Sequence, residues 1–176
     1  KLCIRDSTSS TPAEISPTPA SATATATTAT VVAVVDGDTI DVRTSTGEER
    51  VRLIGINTPE ISRDGGVNDC YAQEARDYLD RLVYGHHVEL VSDLTQADVD
   101  RYGRLLRHVL IDGQSAAQLA IAAGAGKEYT YDRPYEHRSD YLDAQDRAQE
   151  TGAGLWSVRP VSYTHLPLPT TPYAQA

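Results

Sequence analysis

Residues 31–57 read VVAVVDGDTIDVRTSTGEERVRLIGIN, the part of the chain whose pattern says most about its architecture. Apolar β-branched residues stand on both sides of an Asp-Gly-Asp turn, and another strand-like run follows the turn at Thr-Gly-Glu. Short runs of this kind, each ended by turn residues, predict consecutive antiparallel strands. A β-rich fold is therefore expected to begin in this segment.

The residues that follow predict one helix, two more strands and two further helices. Residues 68–85 place apolar side chains at helical spacing and stop at a glycine. Residues 87–93 and 102–113 alternate like strands, and residues 115–126 and 134–156 form an Ala-rich and a polar helical pattern. The order β-β-β-α-β-β-α-α predicts a β-rich α+β fold, a five-stranded Greek-key barrel of the OB type with three helices.

The overall charge excludes one class of protein. The 176 residues carry 16 Lys and Arg against 25 Asp and Glu, a formal net charge of -9. A protein that binds DNA through bulk positive charge has the opposite balance. No apolar run approaches the length of about 18 residues that would span a bilayer, so no integral membrane segment is expected.

The two ends of the chain differ in composition from the middle. Residues 1–30 contain a long Ser, Thr, Ala and Pro tract, which predicts a disordered linker and favours a secreted or surface-tethered bacterial protein. The ordered domain is expected over residues 31–158. Residues 159–176 are expected to be a disordered tail, and two interpretations stay open: a natural Pro-rich end or translated sequencing-adapter DNA.

Two clusters offer oxygen atoms to a cation. Asp36-Gly37-Asp38-Thr39 holds two carboxylates around a glycine, which suits a hard cation such as Ca²⁺ but is also a common turn. Residues 52–60, RLIGINTPE, bring the oxygens of Asn57, the Thr58 carbonyl and Glu60 to the place where a proline ends the strand. Taken alone, this second cluster could be a strand end with surface polar groups.

Arginines supply the remaining chemistry. Arg52 lies within an apolar strand, where it either faces inward towards an anionic partner or outward into solvent. Residues 100–104, DRYGR, combine two guanidinium groups with an aromatic ring, which suits phosphate but also fits a solvated turn. With a cation site, a carboxylate at Glu60 and arginines at 52 and 104, the three clusters together indicate hydrolysis of a phosphodiester.

Five motifs in this order resemble the staphylococcal-nuclease-like (thermonuclease) family. They are DGDTI, RLIGINTPE, YAQEA, DRYGRLL and GLW, and they span most of residues 31–157. The resemblance implies an OB barrel with Ca²⁺ as cofactor. It also implies a Ca²⁺-dependent phosphodiesterase that acts on DNA and RNA, single-stranded or frayed, and leaves 3′-phosphates.

The resemblance also assigns roles to single residues. It implies that Arg52 and Arg104 grip the scissile phosphate and that Glu60 activates or orients the attacking water. It places the cation on Asp38 and the Thr58 carbonyl, with Asp36 as a nearby supporting acid. The aromatic residues that it implies in the nucleotide pocket are Tyr102, Tyr129 and Tyr131.

Two departures from the family bear on function. Asn57 stands where the family prototype has a second Ca²⁺-binding aspartate, so weaker Ca²⁺ binding is expected. The acidic net charge predicts weaker steering of the substrate. The rival hypothesis is a non-catalytic OB-fold module that binds nucleic acid or another partner, although a carboxylate at Glu60 would repel phosphate in a pure binder. A monomer is the default expectation, and the redox state of Cys3 and Cys70 stays open.

Overall fold

The computed structural model describes residues 24–62 and 65–157, and it confirms the predicted barrel with three helices. Most of the predicted linker, residues 1–23, and the predicted tail, residues 159–176, lie outside the described residues. None of the helices in the described ranges is long and apolar enough to cross a membrane.

Residues 24–62 and 65–157 contain eight strands, and five of them form the barrel. In chain order they are β1 (Ala26–Asp36), β2 (Thr39–Arg43), β3 (Glu48–Leu53), β4 (Ile56–Asn57), β5 (His87–Val91), β6 (Leu105–Ile111), β7 (Gln114–Ser115) and β8 (Lys127–Glu128). The order β3-β2-β1-β5-β6 is antiparallel throughout, and a parallel pairing of β3 with β6 closes the barrel. The short β7 extends the sheet from β6, while β4 and β8 pair separately.

The first strand begins earlier than the composition predicted. Residues Ala26–Thr30, which the Ser, Thr and Ala content assigned to the linker, pair with His87–Val91 of β5. The prediction of a linker reaching to residue 30 is therefore wrong for these residues. Threonine is β-branched and favours strands, and the backbone of β5 supplies the partners that a composition-based interpretation cannot see.

Three helices cover the barrel: α1 (Ala72–Val83), α2 (Ala116–Ala122) and α3 (Arg138–Thr151). The buried side chains of α1 are Ala72, Ala75, Leu79 and Val83, which follow one face of the helix because they are three or four residues apart. This face packs against β1. Ser115 begins α2 by accepting a hydrogen bond from Gln118 N at 3.2 Å.

Two glycines let α2 and the C-terminal segment come into backbone contact. Gly124 follows α2 with φ +69°, and its carbonyl accepts a hydrogen bond from Leu155 N at 2.8 Å. A Cβ on Gly124 would overlap the carbonyl oxygen of Ala153. Gly154 sits in the facing 3₁₀ turn (Gly154–Trp156), where a Cβ would overlap the carbonyl oxygen of Gly124. The backbone contact between the end of α2 and the 3₁₀ turn, called the backbone crossing below, therefore requires glycine at both positions.

We expect Gly124→Ala to lower the free energy of unfolding far more than Gly113→Ala. Gly113 has a similar φ of +77° but open space around the position of a Cβ, so alanine there costs only the left-handed backbone, about 1–2 kcal/mol. At Gly124 the clash with Ala153 adds to that cost, for a total of about 3 kcal/mol or more. Urea unfolding of both variants measures the difference, and equal losses would show that the backbone crossing contributes nothing.

Candidate active site

A cleft of about 740 Å³ opens beside the β3–β6 pairing that closes the barrel. Most of the predicted site residues line this cleft. Arg52, Asn57 and Glu60 line it, from β3, β4 and the residues just after β4. The predicted residues from the other elements that line it are Tyr102, Arg104, Tyr129 and Tyr131. Residues more than forty positions apart in the chain thus meet on one surface.

Asp36, Asp38 and Thr58 lie behind the cleft rather than in its lining. All three are buried, and Asp38 is only 2% exposed. Thr58 N donates to Asp38 Oδ2 at 3.1 Å, which ties the chain after β4 to the β1–β2 turn. Gly37 permits this approach, because a Cβ there would stand 2.9 Å from the Thr58 side chain.

Arg52 joins the buried acid to the cleft. Its Nη2 contacts Asp38 Oδ2 at 2.9 Å and donates to Asn57 Oδ1 at 3.3 Å. Its Nη1 donates to the carbonyls of Leu53 and Ile56 at 2.9 and 2.8 Å. Of the two orientations that the sequence left open, Arg52 takes the inward one, with its side chain 13% exposed. Asp38 and Asn57 therefore flank a single guanidinium nitrogen.

The charge of Asp38 is incompletely compensated in this arrangement. Burial raises the pKa of Asp38 from 3.8 to about 6, and the neighbouring Asp36 adds to the rise. Arg52 and the Thr58 N–H oppose the rise but do not cancel it. Additional positive charge near Asp38 would therefore stabilise its ionised form.

The oxygen atoms around the Asp38 carboxylate suit a hard divalent cation as ligands. Carboxylate, amide and carbonyl oxygens of Asp38, Asn57 and Thr58 are the ligand types that Ca²⁺ takes, and the undercompensated charge of Asp38 favours a cation. Within residues 24–62 and 65–157, no group of three or more His, Cys, Asp or Glu side chains is arranged to hold a metal. A cation here would therefore draw on amide, carbonyl and water oxygens as well as on carboxylates.

Arg104 is held by Asp100, a residue that the sequence analysis did not single out as functional. Asp100 Oδ2 accepts from Arg104 Nε at 2.6 Å, while Oδ1 accepts from Tyr102 N and Arg104 N at 2.8 and 3.0 Å. Burial acts to raise the pKa of Asp100, but these donors outweigh it and lower the pKa. An aspartate three residues before a glycine is the signal of such a turn, and it was present in DRYGR.

The buried hydroxyl of Thr39 connects the Asp38–Arg52 pair with Arg104. Thr39 Oγ1 donates to Asp38 Oδ1 at 3.0 Å and accepts from Arg104 Nη1 at 3.4 Å. Thr39 pairs with Arg52 across β2 and β3, so β2 carries this connection between them. The sequence offered no sign of it, since the contact joins residues of distant segments.

Glu60 is exposed and lines the same cleft as Arg52 and Asn57. Its backbone is fixed by Asp69: Glu60 N donates to Asp69 Oδ2 at 3.0 Å, and Asp69 N donates to Glu60 O at 3.0 Å. These two hydrogen bonds fix the backbone of Glu60 to Asp69.

Aromatic and apolar side chains line the other part of the cleft. Tyr102, Tyr129 and Tyr131 are 69%, 44% and 76% exposed, so these side chains are accessible from the cleft. Arg101 lies over the Tyr102 ring at 4.7 Å from its centroid. Leu94 and Val99 are also exposed here, at 53% and 47%. The sequence analysis missed them because single apolar residues in a loop carry no pattern.

Comparison with known proteins gives one family. The family described as "Staphylococcal nuclease homologue" matches residues 50–158. The chain is 29% identical to a thermonuclease of Staphylococcus hyicus over 126 residues, 72% of this chain and 73% of that protein. It is 35% identical to an uncharacterized endonuclease of Escherichia coli O157:H7 over 127 residues, 72% of this chain and 74% of that protein. A thermonuclease of Staphylococcus intermedius is 29% identical over 123 residues, covering 70% and 72%.

We expect Asp38→Asn to raise the free energy of unfolding at about pH 8 without divalent cations, by on the order of 2 kcal/mol. Burial raises the pKa of Asp38 from 3.8 to about 6, so the folded chain holds this proton more tightly than the unfolded chain. The free energy of unfolding of the wild type therefore falls as the pH rises from 3.8 through about 6. The asparagine side chain does not ionise, so the variant avoids that loss.

Urea unfolding with chelator, at about pH 8 and again at about pH 4, tests this expectation. The gain should vanish at the lower pH, where the native carboxyl group is protonated. Asp143→Asn, at an exposed position on α3, controls for the loss of one charge. A destabilised Asp38→Asn protein at the higher pH would show that Arg52 compensates the carboxylate fully.

Proposed function

This chain belongs to the staphylococcal nuclease family and is a nuclease, and we propose that it is a Ca²⁺-dependent phosphodiesterase that hydrolyses DNA and RNA. The observation that carries the proposal is the convergence of charged and polar groups on one cleft. There Glu60, Arg52 and Asn57 face the same space, with the buried Asp38 directly behind Arg52 and Arg104 at the adjoining edge. Such a set can bind a phosphodiester, balance its charge and act on water.

The chain's own residues divide the reaction between them. Arg52 and Arg104 bind the scissile phosphate and balance the negative charge that grows as water adds to phosphorus. Glu60 accepts a proton from that water or orients it for attack in line with the leaving group. The bond to the 5′-oxygen then breaks, the leaving oxygen takes up a proton, and the product strand ends in a 3′-phosphate. Arg104 lies nearer the leaving oxygen.

A calcium ion would be held by Asp38, Asn57 and the Thr58 carbonyl, with Asp36 as a supporting acid. When bound, the ion supplies Lewis-acid polarisation of the phosphate and additional positive charge. Arg52 contacts both Asp38 and Asn57, so its position and that of the ligands depend on one another.

The aromatic part of the cleft suits unpaired bases. The exposed side chains of Tyr102, Tyr129 and Tyr131 offer aromatic groups against which bases can stack, and stacking is tolerant of base identity. Single-stranded or frayed DNA and RNA are therefore the proposed substrates. Because the chain is acidic overall, binding depends on these local contacts and the cleft arginines rather than on long-range attraction. Export from a bacterial cell and a monomeric state stay predictions.

We expect Glu60→Gln to lower the rate of Ca²⁺-dependent cleavage at least about a hundredfold, because the amide cannot accept a proton from water. The measurement is the fluorescence increase from a quenched single-stranded DNA, with Ca²⁺ and with chelator. Glu74→Gln, in the first turn of α1 and outside the cleft, is the matched control and should cleave normally.

Binding of the same oligonucleotide by fluorescence anisotropy decides between the two hypotheses. A wild-type protein that binds it but does not cleave it at millimolar Ca²⁺ would be a non-catalytic nucleic-acid module. Equal cleavage by wild type and Glu60→Gln would remove Glu60 from the mechanism and point to a contaminating nuclease.

We expect Asn57→Asp to tighten Ca²⁺ binding by about tenfold, because one more ligand charge strengthens a Ca²⁺ site. Isothermal titration with CaCl₂ in metal-free buffer measures the change. Gln149→Glu adds the same charge on α3, away from the cleft, and should leave the affinity unchanged. An Asn57→Asp protein that binds Ca²⁺ no more tightly than wild type would show that residue 57 is not a ligand.

A further inference from the structure

Two loops form the aromatic and apolar part of the cleft, and one buried carboxylate touches both. The first wall loop is residues 94–99, which contributes Leu94 and Val99, and the second wall loop is residues 129–136, which contributes Tyr129 and Tyr131. Asp93 lies between them, two residues after β5, with its side chain 0% exposed.

Asp93 begins the first wall loop and fixes the end of the second. Its Oδ1 accepts from Thr95 N at 2.8 Å and from the Thr95 hydroxyl at 2.6 Å. Its Oδ2 accepts from Glu136 N at 2.8 Å. A further contact joins the loops directly, because Gln96 Nε2 donates to the carbonyl of Arg133 at 3.0 Å. The separation of the two loops thus depends on the place of this carboxylate.

Burial acts to raise the pKa of Asp93, but its hydrogen-bond donors outweigh burial and lower the pKa. The carboxylate is therefore ionised at neutral pH and accepts at both oxygens. A charged acceptor gives stronger hydrogen bonds than a neutral one, which suits a residue that holds loops rather than packs in a core.

His108 on β6 holds Asp93 from the barrel side. Its Nε2 lies 3.2 Å from Asp93 Oδ2 and its Nδ1 lies 3.3 Å from the Tyr141 hydroxyl. Because a carboxylate only accepts, the proton belongs on Nε2, and Nδ1 then accepts from Tyr141. The Tyr141 hydroxyl also contacts Ser115 Oγ at 2.5 Å, at the start of α2. One proton arrangement satisfies the whole chain of contacts.

The His108 ring is suited to this position by its surroundings. It is 5% exposed and lies among the rings of Tyr135, His137 and Tyr141 at centroid distances of 6.0–6.3 Å. Burial lowers the pKa of His108, so that the neutral ring, which the contacts require, is the form present at neutral pH. The histidine does not line the cleft.

We propose that His108 and Asp93 are positioning residues that hold the two wall loops at the spacing a nucleic acid strand requires, and so govern substrate binding rather than cleavage. The inference rests on the proposed function, since it takes the cleft to bind nucleic acid. The reacting phosphate is assigned to Arg52, Arg104 and Glu60, and the side-chain hydrogen bonds of the two arginines run to residues outside the wall loops, such as Asn57 and Asp100. Loosened wall loops therefore raise KM and leave kcat in place.

The test compares His108→Phe with His108→Gln in the full chain. Phenylalanine fills the aromatic site but loses both hydrogen bonds, so KM for single-stranded DNA should rise about tenfold while kcat changes less than about twofold. Glutamine keeps one donor and one acceptor and should restore KM. Val109→Ala, at a buried position whose side chain faces away from the network, controls for a general loss of stability.

The dissociation constant of a fluorescent oligonucleotide, measured with chelator, separates this proposal from the nuclease proposal. A wild-type protein that binds without cleaving overturns the nuclease proposal only, and a tenfold weaker His108→Phe complex still supports the positioning role. Unchanged affinity and KM in His108→Phe overturn that role, as does an equal loss in Val109→Ala or a fall in kcat alone. A wild-type protein that neither binds nor cleaves overturns both.

If His108→Phe does not fold, Tyr141→Phe takes its place, because it removes only the hydroxyl that bonds to His108 and leaves the packing intact. A higher KM at unchanged kcat supports the proposal. An unchanged KM overturns it.

Discussion

The contact between the Arg52 guanidinium and the buried Asp38 carboxylate organises the centre of this molecule. Asp38 lies in the β1–β2 turn and Arg52 stands near the end of β3, so their ion pair joins the first three strands beside the cleft. The same guanidinium donates to the carbonyls of Leu53 and Ile56, which fixes the path of the backbone from β3 to β4. Removing Arg52 would leave the buried Asp38 carboxylate with still less compensation of its charge, so the pair constrains both fold and chemistry.

The local elements were within reach of the sequence because their causes are local. Turn glycines, β-branched runs and the apolar face of α1 each predict an element from neighbouring residues. The start of β1 could not be predicted from the sequence, because Ala26–Thr30 become a strand only through pairing with β5. The composition of these residues is that of a linker, and a partner strand overrides it.

The candidate site shows the same division. The motifs identified Asp38, Arg52, Glu60 and Arg104, and the fold brings these residues together. They did not indicate that Asp38 lies behind the cleft, that Asp100 fixes Arg104, or that His108 reaches Asp93. Each of these depends on which strand or loop lies opposite, and contacts between distant segments leave no periodic trace in one sequence.

The parallel pairing of β3 with β6 has a consequence for how the chain acquires its site. Val51 and Leu53 find their partners, Leu105 and Arg107, only after α1 and β5 have been placed between them. Such non-local pairings carry a large loop-closure entropy and slow folding. Asp38 and Arg52 belong to strands that are adjacent in the chain, so their contact can form early in folding. Arg104 directly precedes β6 and takes its place only when that strand pairs. During synthesis on the ribosome, a chain that has not yet emerged past β6 would therefore have Arg52 without Arg104. Full assembly of the site coincides with closure of the barrel.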